Sequence, residues 1–164
     1  MSIFKKILKY GGALIGVILI VGGLFLAHTW YFKPVNINLF FGRMMLEVMA
    51  ESPEMLSSLR VLEPIGIKGH NAKLDDDSLA AGDRFMQLLK DSYETLMSYE
   101  DEDLSEADLM SKRIAAFMLG NVIEAEKHRF LTFPVNQLFG VQNGFPSFME
   151  STHQVHSVRD AEDY

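Results

Sequence analysis

Four side chains have the types and spacing of metal ligands. Glu124 and His128 lie four residues apart in a stretch that we expect to be helical, and this spacing places both on one face of an α-helix. His153 and His156 flank a predicted loop further along the chain. Because zinc takes three or four protein ligands, neither pair makes a site alone. We favour a charged helix face for the first pair and turn histidines for the second, with metal binding as the open alternative.

Other signatures of catalysis are missing from the sequence. It has 0 Cys, which excludes disulfides, thiolate metal sites and a Cys nucleophile. It has no His-Glu-x-x-His, no Gly-x-Ser-x-Gly and no phosphate-binding glycine loop. The acidic run Glu100–Asp103 lacks the alternating ligands and central Gly of a calcium loop, so we interpret it as a solvated turn. Most of the 10 Met lie at helical core spacings and are expected to fill the core, with a partner-binding groove as the alternative. We predict no catalytic residue in this chain.

Charge is distributed unevenly along the 164 residues. Lys5, Lys6 and Lys9 give the first nine residues a charge of +3. All 22 acidic residues lie at Glu47 or later, against 12 Lys and Arg after Phe32, which leaves residues 33–164 at about −10. A region with this charge repels phosphate backbones. We therefore expect no nucleic acid among its partners.

The 23 residues from Tyr10 to Phe32 include no Asp, Glu, Lys or Arg. As a helix they extend about 34 Å, enough to cross a hydrocarbon core of about 30 Å. Trp30 and Tyr31 at one end and Tyr10 at the other match an aromatic belt, and the lysines before Tyr10 favour a cytoplasmic N-terminus. A cleaved signal peptide is the alternative, but its apolar core is shorter and ends at small residues. The prediction is a cytoplasmic tail (1–9), a transmembrane helix (10–32) that embeds in the lipid bilayer, and an extracytoplasmic region (33–164).

The outer region is predicted to be all-α, with serines at the helix starts. Ser52 precedes Pro53, Ser105 opens a capping-box-like segment, and Ser157 precedes a final short helix. Asp75–Ser78 is expected to open a helix that runs to about Tyr99. With the helix from Ser105 to about Phe130, it would form a long antiparallel hairpin of two helices of about 25 residues. We expect residues 133–146 to form an irregular loop, with Pro146 starting a short helix.

A series of segments carries a family resemblance: Ser52–Leu59, Leu74–Leu79, Leu104–Leu109, His128–Phe130, Phe133–Leu138, and His153 with Asp160–Tyr164. In this order and spacing they resemble the N-terminal region of the bacterial family called domain of unknown function 885 (DUF885). The match covers roughly residues 38–164. No single segment is specific to the family.

The resemblance implies a longer, largely helical, exported or membrane-anchored protein. The family's C-terminal half carries a His- and Glu-rich segment that suggests a zinc metallopeptidase, and a peptide would then be the substrate. This half has no counterpart here, so the resemblance assigns no zinc ligand or base to this chain. Within it, residues 33–164 would be an incomplete domain that packs on the missing C-terminal portion of its own chain.

The expected function follows from these two arguments. The chain is predicted to be the anchor and N-terminal helical region of a DUF885-like hydrolase in the bacterial cytoplasmic membrane, inactive alone. Zinc in the full-length protein would activate water and polarise the scissile carbonyl. The alternative is a non-enzymatic, membrane-tethered helical module that binds a protein partner.

Overall fold

A computed structural model describes residues 2–131, 133–138, 140–152 and 155–164, with side chains from residue 10 onward. These residues form helices and no strand, which confirms the all-helical class. They divide into two compact units, up to Arg43 and from Met44 onward. The α-helices are α1 (Ser2–Tyr31), α2 (Ile37–Glu51), α3 (Pro53–Leu59), α4 (Leu79–Met97), α5 (Glu106–Ala125), α6 (Val141–Ser151) and α7 (Val158–Asp163). Short 3₁₀ helices span Glu63–Ile65, Asp101–Asp103 and Glu126–Leu131.

Helix α1 is apolar on every side. Within the 22 residues from Tyr10 to Tyr31, an 18-residue window has a mean hydropathy of 2.2, and none of that window is buried within the chain. The helix ends at Tyr31, one residue before the predicted limit, and is long and apolar enough to cross a membrane. A helix of a water-soluble domain would instead carry a polar stripe.

In the first unit, Arg43 hydrogen-bonds to the backbone at the C-terminal end of α1. The Arg43 guanidinium donates hydrogen bonds to the backbone carbonyls of Thr29, Trp30 and Phe32, at 3.2, 3.3 and 2.8 Å. The last carbonyls of a helix have no partner within it and carry the negative end of its dipole. Arg43 therefore satisfies and neutralises this end. The buried side chains Pro34, Ile37 and Phe40 fix the intervening turn.

The predicted serine caps are confirmed in the second unit. The hydroxyls of Ser52, Ser78, Ser105 and Ser157 each accept a hydrogen bond from the backbone N–H three residues later. Each serine has extended backbone angles while the next residue is helical. Local side-chain chemistry therefore sets the first turn of α3, α4, α5 and α7.

The aspartates before α4 do not cap it as predicted. Asp75 accepts hydrogen bonds from the Ser52 hydroxyl at 2.7 Å and the Glu54 backbone N–H at 3.0 Å, so it caps α3 instead. Asp76 accepts from the Ser78 backbone N–H at 3.0 Å. Helix α4 begins only at Leu79, because the extended backbone of Ser78 ends the preceding loop. We expected the aspartates to cap α4, whereas Asp75 caps α3.

Helices α4 and α5 pack against one another. Helix α4 has 19 residues and α5 has 20, whereas we predicted about 25 for each. Helix α4 begins only at Leu79, and α5 continues after Ala125 as a 3₁₀ helix. Buried Lys112 of α5 donates to the Tyr99 carbonyl and to Asp101 Oδ1, the latter at 2.6 Å. The hydrogen bond from Lys112 lowers the pKa of Asp101 below its ordinary value, and the two bonds tie the acidic turn to α5.

Ion pairs also join α4 to the 3₁₀ helix that follows α5. Lys90 Nζ lies 2.6 Å from Glu126 Oε2, and an Arg129 guanidinium nitrogen lies 2.5 Å from Asp83 Oδ1. An added Cβ at Gly120 would lie 3.8 Å from the Tyr93 ring, so the backbone of α5 comes close to α4 there. Asp83, Lys90 and Tyr93 of α4 thus lie near residues 129, 126 and 120, so the partner numbers decrease as the chain proceeds along α4.

The prediction of an irregular loop over residues 133–146 is wrong for its second half. Helix α6 already begins at Val141, with Pro146 inside it. Proline removes one hydrogen bond from a helix interior, which is why we expected a break. Phe148 and Met149 are partly buried at spacings from Val141 that match one helical face.

Candidate functional site

The first predicted ligand pair is not held on one face of an α-helix. Glu124 belongs to α5, but α5 ends at Ala125 and His128 lies in the 3₁₀ helix Glu126–Leu131. A 3₁₀ helix has three residues per turn, so the alignment of residues four apart is lost. The Glu124 carboxylate pairs with Lys127, and the His128 side chain is exposed. The structure therefore gives Glu124 the role of a surface ion-pair partner.

The second pair is only partly described. His153 lies outside the described residues. His156 has an exposed side chain, and its backbone N–H donates to Asp160 Oδ2 at 3.1 Å. Among the described residues no group of three or more His, Asp or Glu could hold a metal ion. The donor set of this part of the chain does not fit the zinc centre that the family resemblance implies for the full-length protein.

A concave surface lies between the α2–α3 junction and the start of α4. It encloses about 390 Å³. Glu51 and the three consecutive aspartates 75–77 form an acidic rim, while the remaining walls are mainly apolar. The lining residues are Val48, Glu51, Ser52, Met55, Asp75, Asp76, Asp77, Ser78, Ala81, Gly82 and Phe85.

The Ser52 hydroxyl and the carboxylates beside it are already hydrogen-bonded to one another and to the backbone. The Ser52 hydroxyl accepts from the Met55 N–H at 3.1 Å while it donates to Asp75. Glu54 Oε1 accepts from the Asp75 backbone N–H at 3.3 Å, so the two acids cap each other's backbone. No histidine is among the described residues that line the cavity, and the carboxylate that accepts from Ser52, Asp75, also caps α3. The network explains how α3 is joined to the loop before α4.

Asp76 on the same rim stays ionised at neutral pH. The Ser78 backbone N–H, its hydroxyl and Arg84 all favour the carboxylate and lower the pKa of Asp76 below its ordinary value. A general acid at neutral pH requires the opposite shift. Asp76 therefore offers fixed negative charge and no proton to donate at neutral pH.

A second polar cluster joins the loop around residue 68 to α7. Lys68 Nζ lies 3.0 Å from Asp160 Oδ1, and the Asp160 side chain is almost fully buried. Lys68, the Ser157 hydroxyl and the His156 N–H together lower the pKa of Asp160 to about 2. This pairing links residues 92 positions apart, so it fixes the end of the described chain onto the loop.

We expect Asp160→Asn to destabilise the chain in a pH-dependent manner. The folded-state pKa of Asp160, about 2, lies below its ordinary value of 3.8, so its charge stabilises the fold above about pH 4. That contribution is lost as the pH falls through about 2. Urea unfolding midpoints of the two proteins should differ most at neutral pH and converge between about pH 4 and pH 2.

Glu162→Gln is the matched control for this pair. Glu162 lies on the same short helix, is exposed and makes none of these bonds. Its unfolding midpoint should follow that of the unaltered chain across the whole pH range. A difference for Asp160→Asn that stays constant down to pH 2 would show that its charge is not what stabilises the cluster.

Sequence reasoning missed two buried polar residues. Lys112 is 6% exposed and His70 is 7% exposed. Neither ring nitrogen of His70 has a hydrogen-bond partner in the described part of the chain. His70 lies in the loop Lys68–Asn71, and loop side chains are normally solvated. Nothing in one sequence signals that distant segments cover it.

Comparisons with protein-family models, curated proteins and solved structures find no match for this chain. The functional assignment therefore depends on the residues and geometry described above.

Proposed function

We propose that this chain is a single-pass membrane protein of the bacterial cytoplasmic membrane with a helical region on the outer side. The observation that carries the proposal is the 22-residue apolar helix from Tyr10 to Tyr31, which no other described segment covers. Its exposed side chains include Leu19, 69% exposed, and Leu24, 67% exposed. In water this helix would expose a continuous apolar surface, whereas a bilayer buries all of it.

The charge distribution sets the orientation. Three lysines precede the helix, and residues 33–164 carry about ten more acidic than basic side chains. Lysine-rich flanks stay in the cytoplasm during insertion. The acidic helical region then lies outside, and Arg43 caps the helix at that end.

We further propose that the outer region is the N-terminal part of a larger DUF885-like, zinc-peptidase-like hydrolase. The sequence segments quoted above support this assignment. In this proposal α4 and α5 form an antiparallel hairpin, with Lys90–Glu126 at one end and Lys112–Asp101 at the other. In this proposal the hairpin is a scaffold for the catalytic half. This chain alone is inactive.

Reading the encoding DNA beyond codon 164 tests the family assignment. An open frame with a His- and Glu-rich helical segment supports it, and chelation should then abolish peptidase activity of the full-length product. A stop codon at this position contradicts it. A full-length product whose activity is unchanged by chelation contradicts the zinc part alone.

A non-enzymatic, partner-binding module is the second candidate. The observation in its favour is the exposed apolar face of α5, where Phe117 is 72% exposed and Met118 is 62% exposed. Thermal melting of residues 33–164 followed by circular dichroism separates the two candidates. A cooperative melt of a soluble product favours the module, because a binding module folds alone. A molten or aggregating product favours the larger domain.

A further inference from the structure

Helix α5 has two unlike sides. Its buried residues, Lys112 and Leu119, face the packed interior. The opposite side presents an exposed row that we name the α5 seam: Ala107, Met110, Ile114, Phe117 and Asn121. Met110 is 57% exposed, Ile114 is 54% exposed and Phe117 is 72% exposed. The seam has no covering element among the described residues.

The spacing in the seam alternates between three and four residues. This alternation is the pattern of a coiled-coil interface, in which the core positions of a heptad are called a and d. Ala107, Ile114 and Asn121 then occupy a, while Met110 and Phe117 occupy d. A β-branched residue at a is a feature of two-stranded parallel coiled coils, and a single Asn at a fixes the register and the number of strands.

We propose that the α5 seam pairs in parallel with the same seam of a second copy of this chain. In parallel register Asn121 lies opposite Asn121 of the second copy, and the two amides hydrogen-bond to each other. The antiparallel alignment that keeps Ile114 against Phe117 places Asn121 opposite Met110. Its amide then loses a partner, which disfavours that arrangement.

The apolar area is sufficient for a tethered pair. The exposed fractions of Met110, Ile114, Phe117 and the adjacent Met118 correspond to about 500 Å² of side-chain surface per copy, or about 1,000 Å² when a symmetric pair buries all of it. That is the lower limit for a specific interface. The affinity argument rests on the proposed membrane anchor, because confinement to one bilayer raises the effective concentration of the two copies.

Charge modulates the pairing without setting its register. The flanking Arg113 lies opposite Met118 of the second copy in the parallel arrangement, so no like charges oppose each other beside the seam. From residue 44 onward the chain has 22 acidic and 10 basic residues, which makes the two copies repel at long range. Added salt screens this repulsion, so pairing should strengthen as ionic strength rises.

Because the chain contains no Cys, single-cysteine cross-linking tests the pairing directly. Ile114→Cys in the full chain, in native membranes, should form an intermolecular disulfide about ten times faster than Val122→Cys, since only the seam holds like residues within disulfide reach. Val122 is the matched control, because it lies on α5 outside the seam and is 46% exposed, against 54% for Ile114.

A second variant guards against cross-linking through another contact. Adding Phe117→Glu to Ile114→Cys should reduce the rate to that of Val122→Cys, and the exposed position of Phe117 leaves the fold of one copy intact. Equal rates at residues 114 and 122, or cross-linking only between Ile114→Cys and Phe117→Cys, would overturn the parallel pair. Recovery of the chain in the soluble fraction would overturn the anchor instead, and the same sample still reports the two rates.

Discussion

Replacement of Leu96 by Ala should destabilise the second unit by about 3 kcal/mol. The substitution loses the free energy of burying the apolar side chain and also creates a cavity. Leu96 is 0% exposed and lies in the last turn of α4, just before the acidic turn. Urea unfolding of the full chain in mild detergent, followed by circular dichroism, measures the change.

The same substitution at Leu79 is the control. Leu79 opens α4 and is 64% exposed, so Leu79→Ala should cost less than about 0.5 kcal/mol. Both changes keep a good helix former in the same helix, so helix propensity does not separate them. Equal losses would mean that Leu96 is not part of a packed core.

Two arginines in the middle of α1 should release the chain from the membrane. Each arginine near the centre of a bilayer-spanning helix costs about 3 kcal/mol. The double variant Ile18→Arg with Ile20→Arg therefore loses the favourable insertion of the apolar helix. The measured quantity is the fraction of the chain that stays in the membrane pellet after alkaline extraction.

Phe32→Arg controls for added charge. Phe32 lies just beyond the end of α1, where a long side chain extends its charge into the aqueous interface. This variant should remain in the pellet with the unaltered chain. Retention of the double variant in the pellet would show that a surface other than α1 binds the membrane.

The sequence predicts helix starts well because capping is a local interaction. Ser52 and Ser105 each bond to a backbone N–H three residues away, so the relevant chemistry lies within one short segment. The apolar run of α1 is equally local, since its length and composition suffice to identify it. These features need no knowledge of the tertiary fold.

The remaining structure depends on contacts between distant segments. Nothing beside Asp160 in sequence indicates that Lys68 holds it, and nothing beside Asp75 indicates that it caps α3 rather than α4. The alternative in which Glu124 and His128 bind one metal ion depends on a shared helix face. It assumed a continuous α-helix, whereas α5 ends at Ala125.

The methionines show the limit of periodicity most clearly. We expected them to fill the core, and Met49 does, at 7% exposed. Met110 and Met118 instead lie on the open side of α5, at 57% and 62% exposed. Helical spacing identifies an apolar face, but it does not show whether that face packs within its own chain or lies exposed on the surface.

The central claim is that one helix anchors the chain with its outer region across the membrane from its N-terminus. Single cysteines at Ser2 and at the exposed Asp91 test it, because the chain has no other thiol. In intact cells with a permeabilised outer membrane, an impermeant maleimide should label Asp91→Cys at once and Ser2→Cys only after lysis. Labelling of Ser2→Cys before lysis, or protection of Asp91→Cys until lysis, would contradict the account.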